Sequence, residues 1–172
     1  DSIIASALDI YADECTMKNP YGEVLEIQSD NDNIKSILHN LFYDIMNIEF
    51  NLWPWIRNLT KYGDFFLYLD VEDKYGITNV IPVSAYELVR SEGEDPDNPY
   101  YVKFYMESQE TAHPYFTRSS KGKKIEFENF QIAHFRLASD SNLMPYGKSI
   151  LESGRKVWKQ LTLMEDAMLI HR

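Results

Sequence analysis

The chain has 172 residues, 44% hydrophobic and 14% aromatic, which is enough for one domain with a substantial core. Its 17 basic and 27 acidic residues give a net charge of −10, which argues against binding to nucleic-acid phosphates or to anionic membranes. A single cysteine, Cys15, excludes an intrachain disulfide or a thiolate metal cluster and favours a reducing compartment.

The first third of the chain predicts helices. Apolar residues recur at helical spacing over residues 2–15 and predict a helix; they are Ile3, Ile4, Ala7, Leu8, Tyr11 and Cys15. Residues 22–28 predict a short strand after an Asn-Pro turn. An Asp/Asn cluster at residues 30–33 then offers N-caps for a second helix with a buried stripe of Ile34, Ile37, Leu38, Leu41, Phe42 and Ile45.

A third helix is predicted to begin at Asn51. Asn51 can act as its N-cap, and Pro54 would then fall in the first turn, where a missing N–H costs nothing. Gly63 supplies the left-handed residue that ends the helix.

The middle of the chain predicts antiparallel strands. Strands are expected at residues 65–71 and 77–81, the second ended by Pro82, and at residues 86–90. Residues 100–106 should pair back as a hairpin after a Pro-rich acidic turn, and residues 125–127 and 130–137 give the last strands. Residues 108–124 carry no clear pattern. Helices, antiparallel strands and then a long helix indicate an α+β fold.

The last strand leads into a long helix through residues 140–152. Pro145 and Gly147 predict a tight backbone approach, and Ser149 with Glu152 fits a capping box. A three-four apolar rhythm then continues over residues 149–172 without a stop signal. We therefore expect the chain to be an excerpt of a longer protein.

The charges of this last helix run against the helix dipole. Arg155, Lys156 and Lys159 occupy its first half, and acidic residues occupy its second half. We hypothesise that neighbouring residues of opposite charge pair with them, either within the domain or across a subunit boundary. Arg and Trp are enriched at interfaces, so Arg136, Arg155, Lys156 and Trp158 are predicted to lie near one.

Motifs for chemistry are missing from the sequence. It contains no P-loop, dinucleotide-binding or nucleophile-elbow motif, and its four histidines, at positions 39, 113, 134 and 171, lack metal-site spacing. His134 is predicted to be a structural histidine. Two alternatives stay open: an enzyme whose site combines His134, Asp140, Glu165 or Asp166, and a protein- or peptide-binding module that adds a strand along residues 100–106.

Several blocks of the sequence resemble a known family. Residues 145–151 (PYGKSIL) before a long helix are similar to the turn-into-helix signature of tailed-phage portal proteins. Residues 51–70 (NLWPWIRNLTKYGDFFLYLD), 132–136 (IAHFR) and 158–172 (WKQLTLMEDAMLIHR) resemble the portal, or head–tail connector, proteins of T-even-type bacteriophages. The resemblance covers nearly the whole chain.

This resemblance implies a structural role without catalytic residues, cofactors or metals. Portal proteins of this type form dodecameric rings at one capsid vertex, start prohead assembly and join head to tail. The ring lets DNA pass during packaging and ejection without sequence-specific binding. The implied partners are further copies of the chain, the major capsid protein, the scaffold, the terminase motor and the neck and tail proteins.

The resemblance also implies a place within the portal subunit. Residues 1–172 would form the wing domain, with residues 149–172 leading toward the stem. The protein would be found in the virion after assembly in the host cytoplasm, and this domain would not insert into a membrane.

Overall fold

The computed structural model describes residues 2–94, 96–106, 125–138 and 145–170. Its helices are α1 (Ser2–Cys15), α2 (Asp32–His39), α3 (Ile48–Tyr62) and α4 (Arg155–Ile170). Its strands are β1 (Asp64–Glu72), β2 (Gly76–Val83), β3 (Leu88–Glu92), β4 (Val102–Met106), β5 (Ile125–Phe127) and β6 (Ile132–Arg136). The α+β class is confirmed, with helices first, antiparallel strands next and a helix at the end.

Helix α1 has the predicted bounds, and it buries only part of its apolar side. Only Leu8 and Ala12 are buried, whereas Ile3, Tyr11 and Cys15 are exposed. The reason is that α1 packs mainly against a single helix, α3. One partner covers a narrow stripe of a helix and leaves the flanking apolar residues in solvent.

Helices α1 and α3 run antiparallel and are joined by two polar contacts. Arg57 Nε donates to Asp9 Oδ1 at 2.6 Å. Trp53 Nε1 donates to Asp13 Oδ1 at 2.7 Å. Because a step forward on α1 meets a step backward on α3, the start of α1 lies beside the end of α3.

The second helix begins as predicted, with Asn31 as its N-cap accepting from the Asn33 N–H at 2.9 Å. It continues as a π-helical turn (Asn40–Ile45), and Asn47, at φ 44°, ends it. The predicted buried stripe is wrong in α2 itself, since none of its residues is buried and Ile34 and Ile37 are exposed.

Three sequence predictions in this region are corrected. Residues 22–28 belong to none of the described strands, and the chain bends at Gly22 and Val24. Helix α3 begins at Ile48, so Asn51 is not its N-cap and Pro54 lies in the helix interior. Pro82 does not end β2 but lies within it. Strand β2 is at the edge of its sheet, where a residue without an N–H is tolerated.

The described strands form two three-stranded antiparallel sheets, ordered β2-β1-β6 and β3-β4-β5. The predicted β3–β4 hairpin is confirmed. Residues 104–106 of β4 pair on both sides, with β3 and with β5. The hypothesis that a peptide adds along residues 100–106 is therefore wrong for this stretch, because both of its edges are occupied.

The two sheets share one hydrophobic core. Phe66 meets Phe104 edge to face, with ring centroids 6.2 Å apart, and so joins the sheets. The buried cluster draws on both sheets and contains Phe66, Val83, Leu88, Phe104, Met106, Phe127 and Ile132. Strand β6 places its one histidine at the border of this cluster. Among the helices described, none is long and apolar enough to cross a bilayer.

Candidate functional site

The loop at residues 145–149 crosses the point where α3 ends and β1 begins. Gly63 ends α3 with φ +88°, and a Cβ there would lie 2.6 Å from the carbonyl carbon of Lys148. A Cβ on Gly147 would lie 2.1 Å from the Gly63 oxygen. Neither distance is tolerable for a real side chain, so glycine is required at both positions. The predicted tight approach at Gly147 and the left-handed end of α3 at Gly63 are confirmed.

Ser149 fastens the loop to the end of α3. Its Oγ donates to the Lys61 carbonyl at 2.6 Å and approaches the Thr60 carbonyl at 3.1 Å. The same Oγ accepts from the Leu151 N–H at 3.1 Å and so caps the following turn. One hydroxyl therefore satisfies orphan groups at the end of one helix and at the start of another.

The predicted start of the last helix is only partly correct. Ser149 caps as expected, but residues Ile150–Gly154 form a 3₁₀ turn and α4 begins at Arg155. Glu152 does not complete the capping box; its Oε1 pairs with Arg155 Nη1 at 3.1 Å.

A buried polar cluster lies under the loop. Asp64 Oδ1 accepts from the Gly147 N–H at 2.8 Å and contacts His134 Nε2 at 2.8 Å. Arg90 Nη1 lies 3.0 Å from His134 Nδ1. The histidine ring stacks on Phe66 with centroids 4.3 Å apart. These contacts join β1, β3 and β6 beneath the loop.

The hydrogen bonds show that His134 is neutral. A guanidinium only donates, so Nδ1 must accept from Arg90 and the proton must sit on Nε2, which donates to Asp64. Burial lowers the pKa of His134, and this effect outweighs the hydrogen bond to Asp64, which raises the pKa. Both ring nitrogens are engaged, which agrees with the predicted structural histidine.

Tyr146 ties the loop to the second sheet. Its hydroxyl accepts from the Arg90 backbone N–H at 2.9 Å, and its ring packs against the shared core. Arg136 Nη1 donates to the Pro145 carbonyl at 3.3 Å. Of the four predicted interface residues, Arg136 thus takes part in this junction. We use the name junction for residues 145–149 together with Gly63, Asp64, Arg90, Arg136 and His134.

Helix α4 leaves the junction with no buried residue over Arg155–Ile170. It carries the other three predicted interface residues, Arg155, Lys156 and Trp158, and Trp158 is 44% exposed. The structure leaves their contact with another subunit a prediction. Several large apolar side chains of α4 are also exposed, namely Val157, Leu161, Leu163, Met164, Met168, Leu169 and Ile170.

A groove of about 650 Å³ separates the start of α4 from α1. One wall comes from α1 and the other from the 3₁₀ turn and α4, and most of the lining is apolar. Its lining includes Ile3, Ile4, Ala7, Tyr11, Lys61, Ile150, Leu151, Arg155, Val157, Trp158 and Leu161.

The described residues contain no group of three or more His, Cys, Asp or Glu side chains placed to hold a metal ion. Asp140 lies outside the described residues, as do His113, His171 and the weak stretch at 108–124. The ring nitrogens of His134 contact Asp64 and Arg90, whereas Glu165 and Asp166 are exposed on α4.

Sequence reasoning missed three members of the junction: Asp64, Arg90 and Tyr146. Their contacts join residues 44 to 83 positions apart in the chain, which no local pattern can show. One signal was present, because an aspartate at the head of a strongly apolar strand, directly after a helix-ending glycine, requires a polar partner when buried.

Comparison with known proteins agrees with the resemblance in the sequence. A family model described as "Bacteriophage T4-like portal protein (Gp20)" matches residues 1–172. No curated protein matches the chain at a significant level. Because the family match extends over every residue, the chain belongs to the bacteriophage T4-like portal protein (Gp20) family.

Proposed function

We propose that residues 1–172 form the wing of a portal subunit and that the protein acts as one of twelve subunits in a ring at a capsid vertex. The observation that carries this proposal is helix α4. None of its described residues is buried, although it exposes a series of large apolar side chains. Isolated helices of this length are marginal in water, so a further surface must cover α4 in the working protein.

The junction gives α4 a defined starting direction. Gly147 is bonded to β1 through Asp64, Tyr146 to β3 through Arg90, and Ser149 to α3 through its last carbonyls. A ring requires every subunit to present its contact surfaces at the same angle. The junction would fix the direction of α4 in the same way in every subunit.

In this proposal the ring starts prohead assembly, conducts DNA during packaging and ejection, and joins head to tail. Its partners are the major capsid protein, the scaffold, the terminase motor and the neck and tail proteins. The net charge of −10 suits a conduit that must not retain the DNA passing through it. The subunit has no catalytic residues, assembles in the host cytoplasm and remains in the virion.

The mass of the full-length protein in solution tests this proposal. Native mass spectrometry and electron microscopy should show rings of about a dozen copies. The variant Arg155→Glu/Lys156→Glu should weaken ring formation, because it reverses two exposed charges at the root of α4.

The matched control is Lys74→Glu/Lys103→Glu, which changes the net charge by the same amount. Lys74 lies in the turn between β1 and β2, and Lys103 lies in β4. The control should form rings as readily as the unchanged protein. A full-length protein that stays monomeric at high concentration would refute the proposed function.

A further inference from the structure

A rigid turn at residues 19–23 holds Tyr21 in solvent. The Asn19 N–H donates to the Glu23 carbonyl and the Gly22 N–H to the Asn19 carbonyl, both at 2.9 Å. Asn19 Oδ1 accepts from the N–H groups of Tyr21 and Glu23 at 3.0 and 2.9 Å. Gly22, at φ +85°, allows the reversal. These hydrogen bonds fix the backbone around Tyr21, whose side chain is 88% exposed.

Acidic side chains accompany Tyr21. Glu23 and Glu26 are exposed beside it and line the same surface depression. Within the described part of the chain, neither carboxylate has an ion-pair partner. We call residues 19–26 the tyrosine turn.

The groove between α1 and α4 has the complementary character. Its walls are mostly apolar, and Trp158 contributes an aromatic surface. Lys61, Arg155 and Glu152 also line it, and Glu152 pairs with Arg155. Lys159 follows Arg155 by one helical turn on the same side, so cations outnumber carboxylates at this border. An aromatic side chain next to a carboxylate fits an apolar groove with a cationic border.

The tyrosine turn and the groove lie at opposite ends of α3. Next to the turn, Lys18 Nζ pairs with Glu49 Oε1, at the start of α3, over 3.6 Å. The groove includes Lys61, in the last turn of α3. A helix of 15 residues is about 22 Å long, so the turn cannot fill the groove of its own chain.

We propose that the tyrosine turn of one copy docks into the groove of the next, with Tyr21 against Trp158 and Glu23 facing Arg155. Two different surfaces at opposite ends of a subunit produce a head-to-tail contact, the kind that closes into rings. Arg155 then exchanges its exposed partner Glu152 for a carboxylate of the neighbour. This inference rests on the proposed ring and names the contact that builds it.

Removal of the aromatic ring tests the proposal in the full-length protein. Tyr21→Ser should weaken association by at least about tenfold, as expected for an aromatic anchor in an interface. Tyr100→Ser is the matched control, because Tyr100 is 92% exposed and lies in another turn. Both variants should keep the circular dichroism spectrum and melting temperature of the unchanged protein. Association unaltered by Tyr21→Ser would overturn the inference.

A charge exchange tests the pairing itself. Glu23→Arg and Arg155→Glu should each reduce ring formation, and the double variant should recover part of the loss. A double variant no better than the worse single variant would overturn the pairing of Glu23 with Arg155. A benzophenone amino acid at position 21 should cross-link to residues 150–161 of another copy, and a link elsewhere would also contradict the docking. If the unchanged protein forms rings and the single variants form them equally well, only this contact is refuted. If the unchanged protein forms no rings, the proposed function is refuted.

Discussion

Replacing Gly147 with alanine tests how closely the junction is packed. The new Cβ would lie 2.1 Å from the Gly63 oxygen, whereas ordinary C···O contacts are about 3.3 Å or longer. The two backbones must therefore separate by roughly 1 Å. That movement breaks the Leu137 N–H bond to the Gly63 carbonyl, at 2.9 Å, and the Gly147 N–H bond to the Asp64 carboxylate, at 2.8 Å.

The two lost bonds give the size of the effect. A neutral hydrogen bond contributes about 1 kcal/mol and one to a charged group about 1.5–3 kcal/mol, so Gly147→Ala should lower the free energy of unfolding by about 3 kcal/mol. In a domain of this size the melting temperature should fall by roughly 10 °C. Urea denaturation followed by circular dichroism measures the free energy directly.

The matched control for this prediction is Gly154→Ala. A Cβ at Gly154 meets nothing within 4 Å, and the residue lies in a 3₁₀ turn. Alanine there should be neutral or should stabilise by about 0.5–1 kcal/mol, since it restricts the unfolded chain. Equal unfolding free energies for Gly147→Ala and Gly154→Ala would show that the junction is not packed as described.

Three further predictions concern single residues. The pKa of His134 is lower in the folded chain, so as the pH falls the unfolded chain is protonated first, and the free energy of unfolding should fall below about pH 6.5. His134→Gln should reduce this loss, as measured by denaturation curves at pH 7.5 and 5.5. Ser149→Ala should lower the free energy of unfolding by about 1–2 kcal/mol, because Ser149 links two elements. The control Ser153→Ala should lower it by less than about 0.5 kcal/mol, since Ser153 bonds only within its own turn. Similar losses for both variants would contradict the double cap. Pro54→Ala should raise the melting temperature by restoring a backbone donor inside α3, and a lower value would contradict this reasoning.

The sequence predicted those parts of the fold that depend on local patterns. The bounds of α1, the apolar strand β1, the hairpin of β3 with β4 and the left-handed end of α3 at Gly63 all follow from periodicity and turn chemistry. The capping role of Ser149 and the close approach at Gly147 also belong to this group.

The wrong predictions concern choices made by tertiary contacts. Residues 22–28 have strand composition, but none of the six described strands pairs with them. Asn47 takes the left-handed conformation and starts α3 earlier than Asn51, which leaves Pro54 in the interior. The apolar stripes of α2 and α4 were read correctly as helical, yet the residues that would cover them are not among the described contacts of this chain.

The four candidate interface residues lie in two places. Arg136 lies in the junction, where its guanidinium contacts the Pro145 carbonyl. Arg155, Lys156 and Trp158 lie on α4, as their helical spacing required. Whether they face a neighbouring subunit depends on surfaces outside a single chain, so this stays a prediction.

The crossing of Gly63 and Gly147 has a mechanical consequence. Because the two backbones touch without intervening side chains, no rotamer change can absorb a displacement of one against the other. A rotation of α4 should therefore be accompanied by a rotation of the sheets. Strain from a distant event at one end of the subunit would arrive at the other as rotation instead of being lost in a soft linker.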